Sequence, residues 1–245
     1  MPSTQGNTPL GVHDLSEDMF GLSVRGIKTV SHLFTQPKTV FEASRSADWS
    51  GGSYTPSIRL VFSILAVIAA IRFLWAGPDS YMSQSTFDQL MASPAINDPA
   101  IADLIRNEIM SAFLLMFPFT FMLAQILAAL SLHIWGTGTK TTLRIRFYFL
   151  AITPSTLVTL IMLPLLSMIP LTFYWHYTVL MFVVTYLLDV LTSYRGAVAG
   201  SGRLTRLFKS CLLGLTALVA SLVANTGGFA IASLFVSLKF ATLTG

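Results

Sequence analysis

Charged residues are scarce in this chain. Asp, Glu, Lys and Arg make up 11% of its 245 residues, and 53% are hydrophobic, whereas soluble domains are roughly 25% charged. With so few charges the chain cannot cover its surface with polar groups, so we predict that lipid surrounds much of it. The basic residues behind the net charge of +4 stand in short clusters between apolar runs. That distribution argues against a nucleic-acid partner and favours the edge of a membrane.

Cysteine and histidine are also scarce. The single cysteine, Cys211, excludes an intrachain disulfide and a cysteine metal cluster. His13, His32, His133 and His176 lie far apart, without the close spacing of metal ligands. Paired carboxylates, a Ser-His-Asp set and a zinc-protease motif are all missing from the sequence. We therefore predict no metal, no cofactor and no catalytic residue.

A glycine-rich stretch, HIWGTGTKTTLRIRFYF at 133–149, raises the question of a nucleotide site. A phosphate-binding loop follows the pattern G-x-x-x-x-G-K-[ST] after a strand, but here Lys140 follows Thr139 and a long apolar segment comes before it. We predict no nucleotide partner. Gly136 and Gly138 are instead expected to end a helix at a basic hinge.

Five apolar segments reach about the 20 residues that a membrane-spanning helix needs. They cover approximately residues 58–76, 109–135, 147–168, 173–191 and 211–234, with an apolar tail to 245. The sequence therefore predicts an all-α polytopic membrane protein. It has five transmembrane helices within 57–245, an N-terminal segment at 1–56 and an acidic loop at 77–108.

Lysine and arginine predict the orientation, because cytoplasmic loops of membrane proteins carry an excess of both. With the N-terminus inside and the C-terminus outside, Arg72, Arg106 and Lys239 are the outer basic residues and the other 12 of the 15 are inner. The N-terminal residues do not resemble a cleaved signal peptide. We expect an integral protein of the bacterial cytoplasmic (inner) membrane, with membrane lipids as partners.

The stretch GLSVRGIKTVSHLF places Val24, Ile27, Val30, Leu33 and Phe34 on one helical face. One interpretation is that one or two amphipathic helices lie on the cytoplasmic leaflet. The alternative is a small soluble cap that packs on the inner loops. The basic residues of the inner loops are predicted to contact anionic headgroups, and these are Lys140, Arg144, Arg146, Arg203, Arg206 and Lys209.

Ionisable side chains within membrane segments are candidates for function. The sequence has two, Arg72 and Asp189, each about one turn from a predicted helix end, where snorkelling and an ion pair are the structural alternatives. The other polar residues of the spans look scattered: Gln125, Thr185, Tyr186 and Asn225. Pro154 and Pro164 are expected to kink the third span or to break it at a binding site.

The fifth span carries a stripe of small residues every three to four positions: Ala217, Ala220, Ser221, Ala224, Gly228 and Ala232. Small residues let helix backbones approach closely, which favours association within lipid. The partner of this stripe is either another span of the same chain or another subunit.

Two stretches give the chain a family resemblance. LFTQPKTVFEA at 33–43 and RFYFLAITPSTLVTLIMLPLL at 146–166, with a basic glycine-containing loop, resemble the Yip-domain family of multispan membrane proteins. Eukaryotic members of that family are associated with Rab GTPases and vesicle traffic. The resemblance implies a non-enzymatic scaffold with a cytoplasmic N-terminus, and it brings no catalytic residues.

Three functions are compatible with these features. We expect first a non-catalytic scaffold or accessory subunit that packs against partner membrane proteins and lipids. The alternative is a small-molecule transporter or carrier that uses a proline-broken third helix and Asp189. An intramembrane enzyme that acts on a lipid or quinone would need titratable groups to converge in one pocket.

Overall fold

The structure is a computed structural model that describes residues 24–46, 53–75, 80–94, 96–136, 138–166, 169–197 and 202–244. These ranges are helical and contain no strand, which confirms the predicted all-α class. The residues at 1–23 and 76–79, which belong to the predicted N-terminal segment and acidic loop, lie outside the described residues.

Eight α-helices follow one another in the described ranges. They are α1 (Val24–Thr35), α2 (Pro37–Ala43), α3 (Ser57–Trp75), α4 (Tyr81–Met91), α5 (Pro99–Ser131), α6 (Thr141–Leu166), α7 (Tyr174–Thr192) and α8 (Arg203–Thr244). A short 3-10 helix at Leu171–Phe173 precedes α7, and a π-helical turn at Ser193–Ala197 follows it.

Four helices of the described chain are long and apolar enough to cross a membrane: Pro99–Ser131, Thr141–Leu165, Tyr174–Gly196 and Arg203–Phe240. The first predicted span, α3, is not among them; it has 19 residues with an arginine near each end. On α5, Leu115, Phe119 and Leu123 recur every four residues and are each more than half exposed. Such a continuous apolar surface suits hydrocarbon, so the chain is an integral membrane protein.

The five long helices form a ring. α3 packs on α5 and α6, α7 packs on α6 and α8, and α8 closes the ring by packing on α5. Short connections make α5, α6, α7 and α8 run antiparallel to their neighbours in sequence. We call the end of the ring that carries α1 and α2 the cap face, and the end that carries α4 the loop face.

Helices α5 and α8 pack closely along the small-residue stripe of α8. The small residues of the α8 stripe are buried, apart from the partly buried Ser221. A Cβ atom added to Gly228 would lie 2.9 Å from Thr120 Oγ1 and 3.5 Å from Phe113 Cε2 of α5. The partner of the stripe is therefore α5 of the same chain.

The N-terminal helices α1 and α2 are hydrogen-bonded to the ring at the cap face. Arg195 of the π-helical turn donates from Nη1 to Phe34 O and from Nη2 to Thr35 O, both at 2.9 Å. These are terminal carbonyls of α1, which have no partner inside the helix. Arg146 of α6 donates in the same way to Ser44 O at 3.1 Å and Ser46 O at 3.0 Å.

These contacts favour the cap interpretation over helices that rest on lipid alone. Of the predicted apolar face of α1, Leu33 is buried, but Ile27 is 65% exposed and Phe34 is exposed too. The side chain of Val24 lies outside the described residues. Thr29 is fully buried in place of Ile27 because its hydroxyl accepts from Thr55 N at 2.9 Å.

The structure differs from the expected end of α5 and from a broken α6, and it describes a tail whose course the sequence left open. α5 ends at Ser131, before Gly136 and Gly138, which have positive φ angles and form the following turn. α6 is not broken at Pro154 but runs through it, with hydroxyls of the same turn donating to nearby carbonyls. The predicted apolar tail after residue 234 continues α8, and its Lys239 Nζ lies 2.8 Å from Glu108 Oε2 of α5.

The α5–α8 approach generates a stability prediction. We expect Gly228→Leu to lower the free energy of unfolding by about 1–3 kcal/mol, because the side chain would overpack against Thr120 and Phe113. Thermal unfolding in detergent measures the effect. Gly227→Leu is the matched control, since an added Cβ there meets nothing within 4 Å. Equal destabilisation by both substitutions would contradict the close packing at Gly228.

Candidate functional site

The ring of helices encloses a cavity of about 310 Å³. All five long helices line it, with Leu65 and Ile68 from α3, Phe117 and Phe121 from α5, and Leu218 from α8 among its apolar walls. Ligand pockets in proteins span roughly 300–1,000 Å³ and combine apolar walls with a few polar groups. The cavity is therefore large enough for a small molecule.

The two ionisable residues predicted inside the membrane both line this cavity. Arg72 lies towards the loop face, where its guanidinium carbon is 4.8 Å from the centroid of the Phe117 ring. Asp189 lies towards the cap face. Because Tyr174 at the loop-face start of α7 also lines the cavity, the cavity follows α7 for about 22 Å up to Asp189 at 1.5 Å per residue.

Asp189 does not have the surface position and ion pair that were the structural alternative. Its side chain is buried, with 5% of the residue exposed, and its Oδ1 has no hydrogen-bond partner among the described residues. No described lysine or arginine forms an ion pair with it. The Ser155 hydroxyl of α6 lines the same cavity but donates to Ile152 O at 2.8 Å. A carboxyl group in this position lacks the compensation that a buried charge requires.

Polar side chains that look scattered in the sequence come together at this cavity. Gln125, Thr185 and Asn225 all line it, whereas Tyr186 packs against Gly214 of α8. The signal that identifies this wall of α7 is helical spacing, since Tyr174, Thr178, Met181, Thr185 and Asp189 recur every three or four residues. They occupy one face of the helix.

A hydrogen-bond network joins three helices beside the cavity. Tyr148 Oη of α6 donates to Gln125 Oε1 of α5 at 2.5 Å, and Gln125 Nε2 donates to Ser221 Oγ of α8 at 2.9 Å. Ser221 Oγ in turn donates to Ala217 O at 2.9 Å. Tyr148 is fully buried, and nothing in the sequence had singled it out. The network fixes the relative positions of α5, α6 and α8.

Several of the basic residues predicted to contact headgroups bind the protein itself. Arg206 Nη2 donates to Tyr194 O at 2.5 Å, and Arg144 Nε donates to Thr139 O at 3.1 Å. Arg146 binds the segment after α2, as described above. Lys140 and Arg203 are exposed and Lys209 is partly exposed. Near them on α8, Leu204 and Phe208 are 81% and 71% exposed, which suits the interfacial region of a bilayer.

A scan of protein-family models, a search of curated proteins and a search of solved structures each find no match to this chain. The resemblance to the Yip-domain family therefore stays a prediction.

The three-helix network generates a second stability prediction. Tyr148→Phe removes the donor to Gln125 Oε1 and leaves that oxygen buried without it, which we expect to cost about 1–3 kcal/mol of unfolding free energy. Thermal unfolding in detergent measures this loss. Tyr81→Phe is the control, because Tyr81 is half exposed and stacks on Tyr174 through its ring. A Tyr148→Phe protein as stable as the control would refute the network's contribution.

Proposed function

We propose that this protein is a small-molecule carrier of the membrane, which binds its ligand in the cavity between α3, α5, α6, α7 and α8 and does not convert it chemically. The observation that carries the proposal is that two ionisable side chains lie within the helix bundle. Arg72 and Asp189 line one cavity from opposite ends, and Asp189 Oδ1 has no partner among the described residues.

The energetic cost of these groups supports a role in binding. Charged and polar side chains within a bilayer are costly and usually mark substrate or ion pathways. The ring itself is held by the small-residue contact of α8 with α5 and by the Tyr148 network, neither of which needs Asp189 or Arg72. Their free energy cost is therefore best explained by a ligand that they bind.

We further propose that α3 also crosses the membrane, which gives five spans in all. We propose that α1 and α2 are cytoplasmic and that the membrane is the bacterial inner membrane. Nineteen residues of helix extend about 28 Å, close to the roughly 30 Å hydrocarbon core. The excess of lysine and arginine at the cap face supports the orientation.

Labelling of single cysteines tests this topology in intact cells. In a Cys211→Ser background, we expect a membrane-impermeant maleimide to react with Ala92→Cys but not with Arg45→Cys or Lys140→Cys. Reaction of Arg45→Cys and Lys140→Cys but not of Ala92→Cys would reverse the orientation. Equal labelling at positions 45 and 92 would show that α3 does not cross the membrane.

The scaffold or accessory-subunit function stays a prediction. The small-residue stripe was its main sequence support, and α5 of the same chain occupies that stripe. Gentle purification from native membranes addresses it directly: a chain that runs alone as a monomer would count against partner subunits.

A cavity-blocking substitution tests the carrier proposal. Thr159 lines the cavity and Thr226 is exposed on α8, so Thr159→Trp should fill the cavity while Thr226→Trp adds the same side chain outside it. We screen fragments of up to about 15 non-hydrogen atoms by thermal shift in detergent. Compounds that stabilise the wild type and Thr226→Trp should not stabilise Thr159→Trp. Equal stabilisation of all three proteins would place the binding elsewhere and contradict the proposal.

A further inference from the structure

Most hydroxyl groups that line the cavity already donate a hydrogen bond within the protein. Each serine or threonine hydroxyl has one proton to donate, and those of the cavity donate it to carbonyls of their own helix at 2.8–3.0 Å. The residues are Thr156, Thr159, Thr178, Thr185 and Ser221. The oxygen atoms that remain towards the cavity can accept hydrogen bonds without breaking any of these contacts.

Two other side chains of the cavity follow the same pattern. Tyr177 Oη donates to Met162 O of α6 at 2.7 Å, and the Gln125 amide is engaged at both its oxygen and its nitrogen by Tyr148 and Ser221. The cavity therefore offers several oxygen acceptors along α6, α7 and α8 whose own protons are already used. A ligand that donates hydrogen bonds suits these acceptors.

Asp189 adds a carboxyl group to these acceptors, and a cation beside it would favour the charged form of that group. Its side chain is 5% exposed, lines the cavity and has an oxygen without a partner among the described residues. A positive group on the ligand would supply the missing partner, and hydrogen bonds between charged groups are about twice as strong as neutral ones.

The remaining walls favour an organic cation over an inorganic ion. Ca²⁺ takes about six to eight oxygen ligands, whereas the apolar Phe182 and Met181 line the same cavity as Asp189. The faces of aromatic rings attract ammonium groups, and apolar side chains suit a hydrocarbon chain.

We propose that the ligand of this cavity is an organic ammonium ion, whose positive group binds Asp189 and whose apolar part lies along α7 towards the loop face. The proposal rests on the carrier function and names its ligand class. Arg72 defines the orientation, because its positive charge at the far end repels an ammonium group and leaves Asp189 as the preferred end.

Three compounds with one hydrocarbon chain test the charge directly: n-hexylammonium, 1-hexanol and hexanoate. We measure the thermal shift of the full chain in detergent at constant ionic strength, titrated to an apparent Kd. Hexylammonium should stabilise the wild type at lower concentration than the alcohol or the carboxylate. Asp189→Asn should weaken hexylammonium binding by about 10-fold to 100-fold, the loss expected for a hydrogen bond to a charged group.

Glu108→Gln is the control for net charge, because Glu108 pairs with Lys239 outside the cavity, and it should bind hexylammonium as the wild type does. The proposal fails if hexanol or hexanoate binds as well as hexylammonium, if Asp189→Asn leaves the affinity unchanged, if sodium chloride alone reproduces the stabilisation, or if no compound binds. The comparison on the wild type stands even if Asp189→Asn does not fold.

The experiments can reject the proposed ligand class without rejecting the proposed carrier function. Binding of the alcohol or carboxylate that Thr159→Trp abolishes would keep the cavity as a binding site and reject the ammonium ligand. Binding that survives in Thr159→Trp would reject the cavity itself, and with it both proposals.

Discussion

Hydrocarbon around the bundle is the constraint that organises this molecule. A helix in lipid satisfies its own backbone groups, but its polar side chains have no water to bind and must find partners within the protein. The large apolar residues of α5, α7 and α8 face outwards, while Gln125, Tyr148 and Ser221 bond to one another across three helices. Among the described buried polar atoms without a partner, Asp189 Oδ1 is the carboxyl oxygen, and Asp189 lines the cavity.

The cavity lies between a tightly packed side of the ring and a side lined by bulky residues. Small residues bring α5 and α8 together at Gly228, whereas the aromatic residues Tyr174, Tyr177 and Phe182 lie at the α7 wall of the cavity. Because α5 and α8 are in close contact while bulky side chains lie on α7, the side chains do not fill the interior of the ring. The polar residues then line a space instead of forming a packed core.

The helices and the class of protein could be predicted because apolar length and composition are local properties. The small-residue stripe could also be recognised, but its partner could not, because α5 and another subunit offer the same kind of surface. The cavity was missed because Gln125, Thr185 and Asn225 are on three different helices, and their convergence depends on how each helix is rotated in the ring. The N-terminal cap illustrates the same limit, since Arg195 is about 160 residues from the α1 carbonyls that it binds.

Helix α8 has 42 residues and is about 63 Å long. Its exposed apolar side chains extend from Leu204 to Leu238, about 51 Å along the axis, against a hydrocarbon thickness of roughly 30 Å. If α8 lay along the bilayer normal, much of this apolar surface would be in water. The helix must therefore tilt steeply or bury its ends among lipid headgroups. Since Lys239 forms a salt bridge with Glu108 of α5, the two helices must tilt as a pair. A change in bilayer thickness would then change the tilt angle of both helices together.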